Sequence, residues 1–576
     1  MDLKRNEKPW EFLEEFKGTH FNGEWPTLVE LFSITAERYP ERRCFSIYEP
    51  DNIFLTYGEA HEKVVQVSNY LLTLGVSYGD RVAVTGKNSP EWTIAYLAVL
   101  YAGGVVVPID YQLKSEDIDA YISHSKSKVL FVDEEKYDEI DKDGKAGVKT
   151  RISLSKQKEN YILDIEEKED KAGTYPKEED LAAILYTSGT TGTPKGVMLT
   201  HKNFVSDCFL AQANMNIFHT DVFYALLPLH HSYSMLAVFI EAISVGAEIV
   251  FAKKLVIKQI LKDLHEGQVT MFLAIPMLFN KMIKGLLRGI REKGVVVYGI
   301  IRFLMNVSGI VKATFGVNPG KVMFKGILKK LSLDTNRICI CGGGPLPSST
   351  FRLFNQLGID FVQGYGLTET SPILTLNPIE HYKLDSVGKV IPKTEMKIID
   401  ADEQGNGEIV VKGPMVMQGY YLNEEATKEA FTEDGWFLTG DMGHLDNENY
   451  LYLTGRAKSL IVTEGGKNVF PEEIEDHFQL YDEIEQIMVK GYLLDEKMKT
   501  EGIEAYVYPN FDNFSDTEDG DKKREIIEKR IQEIVKEVNA NLMPYKRIGK
   551  ISLLNEPMEM TTTKKIKRHK ITGEGE

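Results

Sequence analysis

Tyr186-Thr-Ser-Gly-Thr-Thr-Gly-Thr-Pro-Lys-Gly196 is the stretch around which the 576-residue chain is organised. It follows Leu181-Ala-Ala-Ile-Leu185, an apolar run with the length of a short buried strand. Gly189, Gly192 and Gly196 let the backbone turn tightly and approach a ligand closely. Thr187, Ser188, Thr190, Thr191 and Thr193 supply hydroxyls, and Lys195 supplies a point cation. Backbone amides, hydroxyls and one lysine converging on a loop are what a polyphosphate needs. A Walker A loop is excluded, because Pro194 precedes the lysine and no Gly-Lys-Ser/Thr follows. By composition alone, a Gly/Thr-rich hairpin with no ligand is an equal reading.

Outward from that loop, the chain is globular in composition, with 43% hydrophobic and 27% charged residues, and long enough for several domains. A net charge of -17 argues against nucleic acid as the main partner, since phosphate binding needs a cationic surface. Cys44, Cys208, Cys339 and Cys341 show no metal-ligand spacing, and buried thiols are expected rather than a disulfide. The first residues, Met-Asp-Leu-Lys-Arg-Asn-Glu-Lys, lack the apolar core of a signal peptide, so a cytoplasmic setting is expected.

Strand-like and helix-like segments alternate from residue 25 to 362, which predicts an α/β fold with largely parallel sheets. Residues 385–453 are rich in β-branched residues, glycine and turns and predict a small antiparallel β subdomain. From 456 a separate α+β domain is expected, with strands at 459–463, 486–491 and 504–508. Its helix, 522–539, places Ile526, Ile527, Ile531, Ile534, Val535 and Val538 on one stripe. Met235 to Val245 reads as a buried helix.

Residues 281–330 differ: eleven Lys or Arg face a single acid, Glu292, within an acidic protein. The apolar segment between Gly294 and Val311 is interrupted by Arg302, Asn306 and Ser308, short and charged for a membrane span. A basic amphipathic surface hairpin fits better, able to contact the inner face of an anionic membrane peripherally. A solvated insertion packing on its host domain is the alternative.

The opening stretch resembles the phosphate loop of the adenylate-forming superfamily, which includes acyl-CoA synthetases, peptide-synthetase adenylation domains and luciferases. The resemblance implies ATP as cosubstrate, a carboxylate as the other, and Mg²⁺. It recurs in order along most of the chain. Gly342-Gly343-Gly344-Pro345 resembles the loop lining the adenine. Gly364-Tyr-Gly-Leu-Thr-Glu-Thr370 resembles the central motif, in which Gly364 and Gly366 flank Tyr365 against the purine. There Thr368 would bond phosphate, and Glu369, with Thr187, would hold the metal. Asp441, ending Trp436-Phe-Leu-Thr-Gly-Asp441, matches the acceptor of both ribose hydroxyls, and Arg456 would reach the same ribose. Lys458 would sit at a hinge between a large domain, 1–455 (insertion about 281–335), and a mobile C-terminal domain, 456–576. Lys565 matches the lysine bridging carboxylate and α-phosphate, although Lys564 stands where a glycine is commoner.

By the same resemblance the thiol acceptor is coenzyme A, with Gly465 and Gly466 lining its channel, and His231 matches a family histidine. Pro228-Leu-His-His-Ser-Tyr-Ser-Met235 contains no acid to pair a substrate ammonium, which argues against an amino acid. With the small apolar residues of 237–245, this favours a medium- to long-chain fatty acid. A ligase loading a carrier protein, an aryl-CoA ligase and an inactive nucleotide-binding regulator remain as alternatives.

Overall fold

In the computed structural model, strand Leu181–Thr187 pairs antiparallel with Lys195–Thr200, from Leu181 opposite Thr200 to Thr187 opposite Lys195. The described residues are 6–48, 52–167, 169, 174–187, 195–253, 256–463, 467–495, 500–514, 520–561 and 566–568. The loop residues 188–194 lie outside them. By sequence Leu199-Thr-His-Lys-Asn203 reads as the opening of a helix; the structure runs as strand to Thr200 and starts the helix at His201. Val197 and Leu199 alternate into the core, both fully buried, and Thr200 then caps helix His201–Gln212 through a reciprocal bond pair with Asn203.

This hairpin belongs to a seven-stranded sheet. Beyond it, strands Val105–Ile109, Arg81–Thr85, Val129–Val132 and Thr150–Ser153 run parallel. Helix Pro90–Tyr101 is buried along its length up to Leu100. Its Trp92 and Tyr96 meet Phe239 edge-on, on the apolar helix Ser232–Val245, so the two share one core as that apolar run predicts. Six residues of the latter, Met235–Ile240, are π-helical.

The second sheet has thirteen strands. Arg43–Ile47, Glu248–Phe251, Val222–Ala225, Met271–Ala274, Ile338–Cys341 and Asp360–Gly366 pair parallel in that order. From Asp360–Gly366 the pairing turns antiparallel, through Ile373–Leu376, Gly388–Val390, Tyr450–Arg456, Phe437–Leu445, Gly407–Lys412 and Glu395–Ile399. The expected antiparallel portion is therefore hydrogen-bonded onto the parallel sheet. The reversal is tight: a Cβ on Gly366 would lie 1.6 Å from the Pro372 carbonyl oxygen.

A separate three-stranded sheet, Ile484–Asp495, Thr500–Pro509 and Lys550–Leu553, packs with helix Gly520–Asn541. Ile527, Ile531, Ile534, Val535 and Val538 fill its core. Ile526 does not join them and is 47% exposed, because one residue's rotation of about 100° carries it off the stripe. All four cysteines are free and buried. The basic region forms helices Pro276–Arg291, Val295–Phe315, Gly320–Met323 and Lys325–Lys330, the second longer than the apolar segment anticipated.

Candidate active site

The point where the large sheet changes from parallel to antiparallel carries the central motif. Tyr365, near the end of its strand, donates its hydroxyl to Asp441 Oδ2 at 2.7 Å. Asp441 and Arg456 face each other across neighbouring strands, and Arg456 Nε lies 3.0 Å from Asp441 Oδ1. Burial, reinforced by the Asp441 carboxylate, pushes the Tyr365 phenol well up, so it stays a donor. Asp441 is buried, and among the described residues each of its oxygens has one partner, leaving lone pairs for two further donors such as a vicinal diol.

Just past Tyr365, the turn Thr368–Thr370 reaches both sheets. Thr368 Oγ1 lies 3.1 Å from Ser232 Oγ, and the Glu369 carbonyl accepts from Met417 N at 2.8 Å. Tyr420 donates to Glu369 Oε1 at 3.0 Å, and Lys195 Nζ stands 4.8 Å from the centre of the Tyr420 ring. Burial first, then the Glu369 carboxylate, push the Tyr420 phenol up. Residues 418–421 are laced onto the hairpin strand: Gln418 N donates to Met198 O (3.1 Å) and Tyr421 N to Gly196 O (2.7 Å). Tyr420, which joins the two sheets at this place, and Ser232, which ties helix Ser232–Val245 to the turn, were not singled out by sequence. Thr187 Oγ1 is 3.4 Å from the Lys195 carbonyl oxygen, so the two predicted residues close the hairpin together.

Gly342 follows strand Ile338–Cys341, and a Cβ there would come within 3.0 Å of the Tyr233 ring. Gly343 has φ +78°, a conformation suited to glycine. Cβ atoms on Gly343 and Gly344 would be in ordinary contact with Ile275 and Pro276, and Pro345 continues the loop. Gly364 packs 3.0 Å from the Thr375 carbonyl oxygen, measured from the Cβ it lacks. His231 precedes helix Ser232–Val245, and its ring sits 4.2 Å from that of His230. Lys458 is exposed, in the turn Ala457–Ser459. Ser188, Gly189, Thr190, Thr191, Gly192, Gly465, Gly466 and Lys565 lie outside the described residues. Three positions beyond Lys565, Arg568 is fastened to the small sheet's neighbourhood by Glu475, at 2.7 and 2.9 Å, and by Val489 O at 3.1 Å.

The donor set suits ATP and a hard cation. Among the described residues no carboxylate lies within ion-pair distance of Lys195, whose ammonium stands over the Tyr420 ring. Glu369 keeps a second carboxylate oxygen for a hard metal.

A family profile described as AMP-binding enzyme matches residues 32–421. A long-chain-fatty-acid–CoA ligase of Bacillus subtilis (strain 168) is 28% identical over 548 residues, covering 86% of this chain and 88% of its own. One from Mus musculus is 32% identical over 484 residues, covering 78% of this chain and 67% of its own. The solved O-succinylbenzoate coenzyme A synthetase of Bacillus subtilis, in complex with ATP and magnesium ion, is similar in fold. Its TM-score is 0.73 at 23% identity, over 94% of this chain and 99% of that one. Matched over most of its length by sequence and by fold, the chain belongs to the AMP-binding enzyme family, the adenylate-forming ligases.

Proposed function

We propose that the protein activates a medium- to long-chain fatty acid with Mg-ATP and transfers the acyl group to coenzyme A, releasing AMP. One observation carries this reading: segments far apart in sequence meet at the stretch 364–370, through the Lys195–Tyr420–Glu369 contacts and the Tyr365–Asp441–Arg456 bonds. Similarity to long-chain-fatty-acid–CoA ligases supports the choice of acid.

In the first half-reaction the fatty carboxylate attacks the α-phosphorus, the bond to the bridging oxygen breaks, and pyrophosphate leaves. A carboxylate needs no base to be nucleophilic, so the residues' work is positioning and charge neutralisation. Asp441 would receive the ribose hydroxyls, Tyr365 would lie against the adenine beside Gly342–Pro345, and Lys195 with Thr368 would meet the phosphates. Glu369 and Thr187 would hold Mg²⁺, which supplies Lewis-acid polarisation of the phosphoryl oxygens. Lys565 would bridge the two reacting groups. In the second half the thiol attacks the acyl carbonyl and AMP departs. For this step the part beyond 456 would turn about Lys458 and bring Gly465 and Gly466 to the pantetheine, a gating motion. A sparingly soluble acyl substrate also fits peripheral contact of residues 281–330 with a membrane.

An aromatic acid is the second reading, favoured by the likeness in fold to the O-succinylbenzoate enzyme. ATP–pyrophosphate exchange across fatty acids of graded length and a panel of aryl acids tests the choice. Exchange peaking at medium or long chains supports the proposal, and exchange confined to aryl acids overturns it. Adenylate that is released only to a carrier protein, and not to coenzyme A, would instead move the acceptor.

A further inference from the structure

Helix Val295–Phe315 is apolar on two sides. Met305 and Ser308 are fully buried on its inner side, where a Cβ on Gly309 would come within 2.9 Å of Gln356 Cγ on helix Ser348–Gln356. Its outer side presents Val296, Ile300, Phe303, Val307 and Ile310, at successive spacings of four and three residues, with Val296 76% and Phe303 65% exposed. Such a row in water forgoes the free energy of removing apolar surface from solvent.

Charge says what covers it. Lys284 and Arg288 pair with Asp482, and Lys312 and Lys321 pair with Asp360. Lys281, Lys293, Lys325, Lys329 and Lys330 are exposed, with no carboxylate partner among the described residues. In sequence Lys293 precedes the apolar row and Lys325, Lys329 and Lys330 follow it. The protein as a whole carries a net charge of -17, whereas residues 281–330 carry eleven Lys or Arg against one acid, so an anionic surface would draw this region to it. Spanning the bilayer is excluded by Lys312, buried within the helix and donating to Asn355 Oδ1 at 2.7 Å and Asp360 Oδ1 at 2.9 Å. The helix, about 31 Å long, is held to its domain along one side and can only lie flat.

We infer that this helix docks in the plane of an anionic phospholipid membrane, its outer apolar row among the acyl chains and the bordering lysines on the headgroups. The inference deepens the peripheral contact proposed above and uses none of the ligase chemistry. The preceding helix begins at Pro276, against the Gly343–Gly344 loop, so a docked hairpin leads from lipid to the candidate site.

Cosedimentation of the full chain with phosphatidylcholine vesicles, with and without phosphatidylglycerol, tests it. Binding is expected only with phosphatidylglycerol and is expected to weaken with salt. The variants Ile300→Glu/Phe303→Glu/Ile310→Glu and Lys325→Glu/Lys329→Glu/Lys330→Glu should each bind about tenfold or more weakly. All substituted side chains are exposed, so thermal unfolding and ATP–pyrophosphate exchange with a water-soluble short acid should be unchanged. Absence of wild-type binding to anionic vesicles, or unaltered binding of the apolar variant, overturns the inference. So does light scattering that finds a wild-type dimer, dissociated by the apolar variant, with no vesicle binding. Failed exchange in the wild type and in both variants, with wild-type binding to anionic vesicles intact and variant binding weakened, would count against the ligase reading alone.

Discussion

Tyr420 is the side chain through which the phosphate-loop hairpin and the central motif touch: its ring lies under Lys195 and its hydroxyl on Glu369. Tyr420→Phe keeps the ring and removes a hydrogen bond to a carboxylate, so kcat/KM should fall about tenfold in ATP–pyrophosphate exchange, with little change in stability. An unchanged rate would take Tyr420 out of the site. Sequence made Tyr365, Asp441 and Arg456 visible because each sits inside a recognisable motif. It could not show Tyr420, whose partner Glu369 is 51 residues away, or Ser232, whose partner Thr368 is 136 away. A second residue-scale expectation concerns pH. Burial pushes the Asp133 carboxyl up to about 6, despite the hydrogen bond that Lys87 N donates to it at 2.6 Å. The native state thus holds this proton more tightly than the unfolded chain does. That contribution to stability is complete below the unfolded value near about 4 and is lost as pH rises through about 6. Asp133→Asn keeps an acceptor and cannot ionise. Denaturant titrations should show it stabilised relative to wild type by about 1–3 kcal/mol at pH 8 and by nearly nothing at pH 4.

Among elements, the reversal from Asp360–Gly366 into Ile373–Leu376 depends on a missing side chain. Gly366→Ala would drive a Cβ into the Pro372 carbonyl, a backbone atom that no rotamer change can move away. A loss of about 3 kcal/mol or more in unfolding free energy is expected, together with loss of exchange activity, because Tyr365 and Glu369 flank the turn. A variant of wild-type stability would mean the reversal relaxes freely. Most elements were legible as periodicity: apolar runs became parallel strands, and the 520–541 helix buried its stripe. One strand went unread and one residue was misplaced, both for local reasons. Strand Lys195–Thr200 opens on Lys-Gly and closes on a helix cap, so its alternation is only two apolar residues deep. Ile526 lies beside the stripe in sequence but a third of a turn away in space.

At the scale of the whole molecule, Arg568, three positions beyond Lys565 in sequence, is tied to the small sheet's neighbourhood through Glu475 and Val489. The same unit rests on the large one through Asn280–Gln479 at 3.3 Å, Lys284–Tyr481 O at 3.0 Å and Arg288–Asp482 at 3.2 Å. Burial lowers the Lys284 ammonium's pKa, while Asp482 acts to raise it. Arg568→Ala should therefore slow adenylate formation while leaving thioester formation from supplied acyl-adenylate near its wild-type rate. Equal loss in both half-reactions would detach that segment from the first step. Chain order and residue type alone were enough for the α/β class, the buried cysteines and the basic character of 281–330, because these rest on composition and periodicity along the chain, while the motif residues were named through the family resemblance. Folding in three dimensions had to decide that the antiparallel strands extend the parallel sheet, that Tyr420 joins Lys195 to Glu369, and which side of helix Val295–Phe315 is left to the outside. Those depend on contacts between residues tens to hundreds of positions apart, and no local pattern records where such partners will meet.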